Sequence, residues 1–212
     1  MRIAIPLFDK LTALDAVGPY EVLQRLPGVT VHFIGKEVGP VRTENGFLGL
    51  IIDHTYDEIP NPEVIVVPGG IGSRAITADD PMISWLQAAH STTLFTTSVC
   101  TGALILAEAG LLNGLSATTH WGAYDELAKR GAEPTGTRVV EHLDERIITA
   151  AGVSAGIDMA LRLSELLVDD IAAQAMQLEL EYDPQPPFDA GALTKAFPDV
   201  KERLMEYLQE KN

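Results

Sequence analysis

Short apolar runs closed by glycine, proline or aspartate alternate along the chain with longer stretches whose apolar residues recur at helical spacing. That alternation predicts a parallel sheet with helices on its faces. Arg2 to Leu7 reads as a buried strand and Asp15 to Leu26 as a helix presenting Val17, Tyr20, Val22 and Leu23 on one side. Thr30 to Ile34 follows Pro27-Gly28 as a second strand, which completes a βαβ unit. Val41 to Asp53, with Glu44-Asn45-Gly46 between two extended pieces, reads as a small peripheral hairpin. Val64 to Val67 is a continuous β-branched run, expected of a strand buried on both faces, and it runs into the loop Pro68-Gly69-Gly70-Ile71-Gly72. A helix from about Pro81 to Ala89 precedes a buried strand, Thr92 to Val99, and a helix from Thr101 to Ala109. Val139 to His142 pairs with Arg146 to Ala150, long helices follow over Ser154 to Leu167 and Asp170 to Glu181, and an amphipathic helix closes the chain near Val200 to Gln209.

No repeat or Ser/Gly linker divides the 212 residues, so the expected architecture is one α/β domain with a mostly parallel, flavodoxin-like sheet. Residues 183–212 form its C-terminal tail. The segment from Asp183 to Phe188 is too proline-rich for a helix and too apolar to float, which predicts that it packs across a surface.

Composition narrows the partners. Fifteen Lys and Arg stand against 30 Asp and Glu, a formal charge of −15, which repels a phosphate backbone and argues against nucleic acid. A single cysteine cannot form an internal disulfide, so a cytoplasmic address is expected. The N-terminal apolar run meets Asp9-Lys10 too soon for a signal peptide, and the uncharged stretch Ser91 to Ala107 contains seven Ser or Thr, too polar for a membrane span. The five histidines and one cysteine show no ligand spacing, so no metal is expected.

The chemistry concentrates at Ser98-Val99-Cys100-Thr101-Gly102, where a buried strand gives way to a helix. That is the spacing of a nucleophile elbow with cysteine in the serine's place. Unpaired N–H groups at the helix start would lower the thiol's pKa, so Cys100 is expected to be largely thiolate near neutrality. The alternative is a small buried hydrophobe. Asp15, just after the first strand, is the candidate proton-transfer partner, and capping its own helix is the competing and compatible role. The Gly69–Gly72 loop either supplies a backbone donor such as the Gly70 N–H or is an ordinary tight turn. His120, in Thr118-Thr119-His120-Trp121, is either a base for the thiol or a core or capping histidine.

At Pro68-Gly69-Gly70, Ser98 to Ala103 and Thr118 to Trp121 the chain resembles the ThiJ/PfpI superfamily, of class I glutamine-amidotransferase-like fold. Leu14 to Leu23 and the tail Glu181 to Gly191 resemble its isocyanide hydratase branch. Thr101 stands where the superfamily's proteases carry histidine, which disfavours proteolysis, and Asp15 stands where the chaperone and glyoxalase-like branches carry glutamate. Regulators sharing these motifs append a helix-turn-helix domain, whereas only an acidic tail follows here. The resemblance implies hydration of isocyanides to N-substituted formamides by a homodimer without cofactor. Within it, Cys100 would be the nucleophile, Asp15 the acid and base, Thr101 and the Gly70 N–H the donors, and Ile71, Trp121 and Val153 the pocket. A cysteine-oxidation sensor and a non-catalytic small-molecule binder are the competing readings.

Overall fold

A computed structural model describes residues 1–210. In chain order its first elements are β1 (Arg2–Pro6), α1 (Ala13–Leu23), β2 (Thr30–Gly35), β3 (Gly39–Arg42), β4 (Gly49–Ile52), β5 (His54–Thr55), β6 (Val64–Val67), α2 (Pro81–His90) and β7 (Phe95–Val99). They are followed by α3 (Gly102–Glu108), β8 (Ser116–Ala117), α4 (Tyr124–Lys129), β9 (Glu133–Pro134), β10 (Val139–His142), β11 (Ile147–Ala150), α5 (Ala155–Leu167), α6 (Asp170–Glu179) and α7 (Pro198–Glu210). Single turns of 3-10 helix cover Ile71–Ala75 and Trp121–Ala123.

The main sheet runs β10-β11-β7-β6-β1-β2-β5. Every pairing in it is parallel except β10 with β11. Its central order β2-β1-β6-β7-β11 is the flavodoxin-like one, with the switch point between β1 and β6. Helices α1, α5 and α6 pack together on one face and α2, α3 and α4 on the other. The connections after β1 and β6 therefore leave in opposite directions, opening a crevice at the carboxyl edge where such folds bind ligands. Val64 to Val67 are fully buried, as are Ile3, Ala4 and Ile5 beside them, which is why these strands read as unbroken apolar runs.

Three details depart from the sequence reading. β7 begins at Phe95 and not Thr92, because the N–H groups of Thr92 and Thr93 both turn back to the Ala89 carbonyl to close α2. Helix α1 begins at Ala13, so Asp15 lies inside its first turn and Thr12 occupies the cap position. The β3–β4 hairpin forms around Gly46 at φ 75°, but it is not peripheral. Thr43 makes a parallel bridge with Leu11, the Lys10 N–H donates to Arg42 O at 2.6 Å, and the Glu44 N–H donates to Leu11 O at 3.2 Å. These bonds fasten the hairpin to the loop between β1 and α1, just ahead of Asp15.

Two compact units are present, Met1–Leu180 and a second that starts at Glu181. The second holds the proline-rich segment and α7, on which Val200, Leu204 and Leu208 recur once per turn. Among the described residues no helix is long and apolar enough to cross a membrane.

Candidate active site

Cys100 connects β7 to α3 with φ 57°, a left-handed conformation that costs a non-glycine residue about 1–2 kcal/mol. The conformation is imposed by the main chain around it. Its N–H points to the carbonyls of Ala150 and Ala151, each at 3.0 Å, and its carbonyl accepts the Thr119 hydroxyl at 2.9 Å. Helix α3 starts close under β6: a Cβ on Gly102 would stand 2.2 Å from Val67 O, so only glycine fits there. Cys100 as a residue is 5% exposed.

Asp15 is completely buried at the start of α1. Its carboxylate does not cap its own helix, as one sequence reading had it. Instead Oδ2 reaches across the switch point and accepts the Gly69 N–H at 3.0 Å, and the carboxyl interacts with the Cys100 thiol. Burial pushes Asp15 up to about 7, against smaller opposing effects of the Gly69 N–H and the thiol. The thiol is pushed up to about 12, first by burial and then by the charge of Asp15. The Thr101 and Val153 N–H groups donate to the sulfur and pull its pKa down, by less than burial raises it. This corrects the expectation of a free thiolate near neutrality. Between about 7 and about 12 the two groups hold one proton between them.

The loop after β6 is wedged between Asp15 and Thr101. A Cβ on Gly69 would lie 2.5 Å from the Thr101 N and 2.9 Å from Asp15 Oδ2. The Gly70 N–H, expected to serve as a donor to substrate, is taken by Thr101 Oγ1 at 2.8 Å, and the same hydroxyl donates to Gly70 O at 3.0 Å. In this structure Thr101 therefore offers the sulfur its N–H while its hydroxyl locks the loop.

The remaining sequence candidates are distributed around this pair. Val153, named for its side chain, contributes its N–H to the sulfur and holds φ 45°, unusual for a β-branched residue. The His120 ring lies against Gly152, where a Cβ would be 2.7 Å from Cδ2, and Nδ1 accepts the Gly122 N–H at 3.1 Å, which is the capping role. Burial, with help from Arg74, lowers its pKa. Trp121 is half-buried with its ring 5.2 Å from that of His120. Ile71 is 51% exposed, and its N–H donates to Glu44 Oε1 at 2.9 Å. Arg74 forks onto Glu126, with Nη2 at 2.6 Å and Nε at 2.9 Å. A separate cleft of about 590 Å³ lies toward β2 and β3, lined among others by Phe8, Val41, Tyr56 and Met82, and it includes neither Cys100 nor Asp15. Glu44 and the Val153 amide were not singled out from sequence. The first lies on a hairpin loop and the second is a backbone group, so neither shows in residue type or spacing.

Residues 1–166 match the model of the DJ-1/PfpI family. The chain belongs to the DJ-1/PfpI family. It is 43% identical over 192 residues, 91% of its length, to an isonitrile hydratase of Pseudomonas putida, of which it covers 83%. Among solved structures of the family, a ThiJ/PfpI protein from Pseudomonas syringae superposes with a TM-score of 0.90 at 36% identity, covering 99% of this chain and 86% of that one. The HTH-type transcriptional regulator CdhR of Pseudomonas aeruginosa is 30% identical over 75% of this chain, which spans 47% of the regulator.

Proposed function

We propose that this DJ-1/PfpI protein hydrates isocyanides, R–N≡C, to N-substituted formamides through a covalent bond to Cys100. The observation that carries the reading is the buried Asp15–Cys100 pair, two acidic groups sharing one proton at a turn with two N–H groups aimed at the sulfur. The 43% identity to an isonitrile hydratase supports the choice of substrate.

The pair suits the reaction because the isocyanide carbon must gain both a nucleophile and a proton. The thiol proton passes to the Asp15 carboxylate as sulfur attacks the terminal carbon, and the carboxyl delivers that proton to the same carbon. The product of this half-reaction is a thioimidate, R–N=CH–S–Cys100, with Asp15 again a carboxylate. Asp15 then takes a proton from attacking water and passes it to nitrogen, giving R–NH–CH(OH)–S–Cys100. Collapse breaks the C–S bond, releases R–NH–CHO and returns the hydroxyl proton to sulfur through Asp15. The Thr101 and Val153 N–H groups stabilise the sulfur whenever it carries charge. No step calls for a metal or organic cofactor. We further propose that the protein acts as a cytoplasmic homodimer.

Oxidation concentrates at exposed thiolates, so the burial of Cys100 and its raised pKa weigh against the sensor reading. Turnover separates hydratase from binder. Loss of the ultraviolet absorbance of p-nitrophenyl isocyanide is expected with the wild type and not with Cys100→Ala, and acid quench is expected to trap a thioimidate on Cys100. A wild type inert toward aryl and alkyl isocyanides, with a thiol that still alkylates, would overturn the proposal.

A further inference from the structure

The β3–β4 hairpin brings an acidic residue to the edge of the site that the reaction above does not use. Glu44 is fixed at both ends: its N–H donates to Leu11 O at 3.2 Å and its Oε1 accepts the Ile71 N–H at 2.9 Å. From Ile71 the chain leads directly back to Gly70, which is bonded to Thr101, and to Gly69, which is bonded to Asp15. The Gly69 carbonyl in turn accepts the Thr12 N–H at 2.9 Å. One glutamate thus fastens the far end of the loop whose near end holds Asp15 and Thr101, the residue next to Cys100. We propose that Glu44 is a positioning residue for the Asp15–Cys100 pair, tethering the Gly69–Ile71 turn and standing beside the pair as a fixed negative charge. The proposal rests on the reading of that pair as the reacting groups.

Other charged and titratable groups come to this edge from several elements. The β1–α1 loop carries Asp9, whose Oδ1 accepts the Arg42 N–H of the hairpin, together with Lys10. The turn after β6 carries Arg74, which is neutralised by Glu126 of α4, and His120 precedes α4 with its pKa lowered by burial. Among these groups Glu44 is the one whose charge acts directly on Asp15, and it raises that residue's pKa. A second carboxylate nearby disfavours ionisation of the first, so the pair keeps its second proton to higher pH than it would alone. Glu44 is exposed, which makes the effect modest and sensitive to salt.

The test separates tether from charge. Glu44→Gln keeps an oxygen for the Ile71 N–H and removes the charge, whereas Glu44→Ala removes both. Because the full chain contains one cysteine, the rate of iodoacetamide alkylation against pH reports Cys100 alone, independently of any isocyanide. At low ionic strength the first rise of that profile is expected to move down by about half a pH unit in Glu44→Gln, and the difference to shrink near 1 M salt. Glu44→Ala is expected to show the same shift together with a several-fold loss of isocyanide turnover that Glu44→Gln largely avoids. Glu44→Asp should restore the wild-type profile in part. A Glu44→Gln profile that superimposes on the wild type at low salt would overturn the charge role, and Glu44→Ala turnover equal to that of Glu44→Gln would overturn the tether. If the alkylation profile shifts while the wild type hydrates no isocyanide, the proposed function fails and the role of Glu44 stands.

Discussion

Asp15 is a carboxyl whose burial serves reactivity at the expense of stability. In the native chain it holds its proton to about 7, whereas an unfolded aspartate releases it near the ordinary value of 3.8. The native state therefore binds more protons between those limits, and stability falls as pH rises through that window and is level above it. Asp15→Asn removes the ionisable group and retains an oxygen for the Gly69 N–H. It is expected to raise stability at about pH 8 by roughly 2–4 kcal/mol, several degrees in Tm, and to match the wild type near pH 4. Thermal unfolding at the two pH values checks this. The same substitution should lower isocyanide turnover by about 10²–10⁴-fold. It should also speed alkylation of Cys100 at about pH 8, because the charge that opposes its ionisation is gone. The active form of the pair holds a single proton, so kcat/KM in the wild type is expected to rise with pH through about 7. A flat profile from pH 5 to 9 would contradict the shared-proton assignment.

At the scale of elements, the site depends on how closely α3 and the loop after β6 approach each other. Gly102→Ala places a Cβ against the Val67 carbonyl and should destabilise the fold by about 2 kcal/mol, measured as a fall in denaturation midpoint. Gly69→Ala puts its methyl group between Thr101 and Asp15 and should reduce turnover far more than it reduces stability. The parallel core and the strand-to-helix turn were legible because Val64 to Val67 and the run ending at Val99 are long enough to show their pattern. The pairs β5 with β2 and β8 with β9 were not, since strands of two residues show no period. Asp15 was legible as a partner for the thiol, while its escape from helix capping depended on an N–H 54 residues away. The thiol pKa was not legible for a related reason. Sequence displays the N–H groups at a helix start, but burial, the larger effect here, depends on the whole fold.

At the scale of the molecule, the tail from Glu181 forms a unit of its own with an amphipathic α7. If it packs as its apolar prolines and Phe188 suggest, native protein should resist proteolysis between Asp183 and Phe188, and rapid cutting there would remove the idea. Sedimentation should give a species of twice 22.8 kDa, and a monomer at all concentrations would refute the homodimer. The turn at position 100 is held by main-chain bonds to Ala150 and Ala151 and by a threonine on its carbonyl, none of which involves the sulfur. Architecture and reagent are therefore separable: Cys100→Ala removes the thiol and leaves each of these bonds in place.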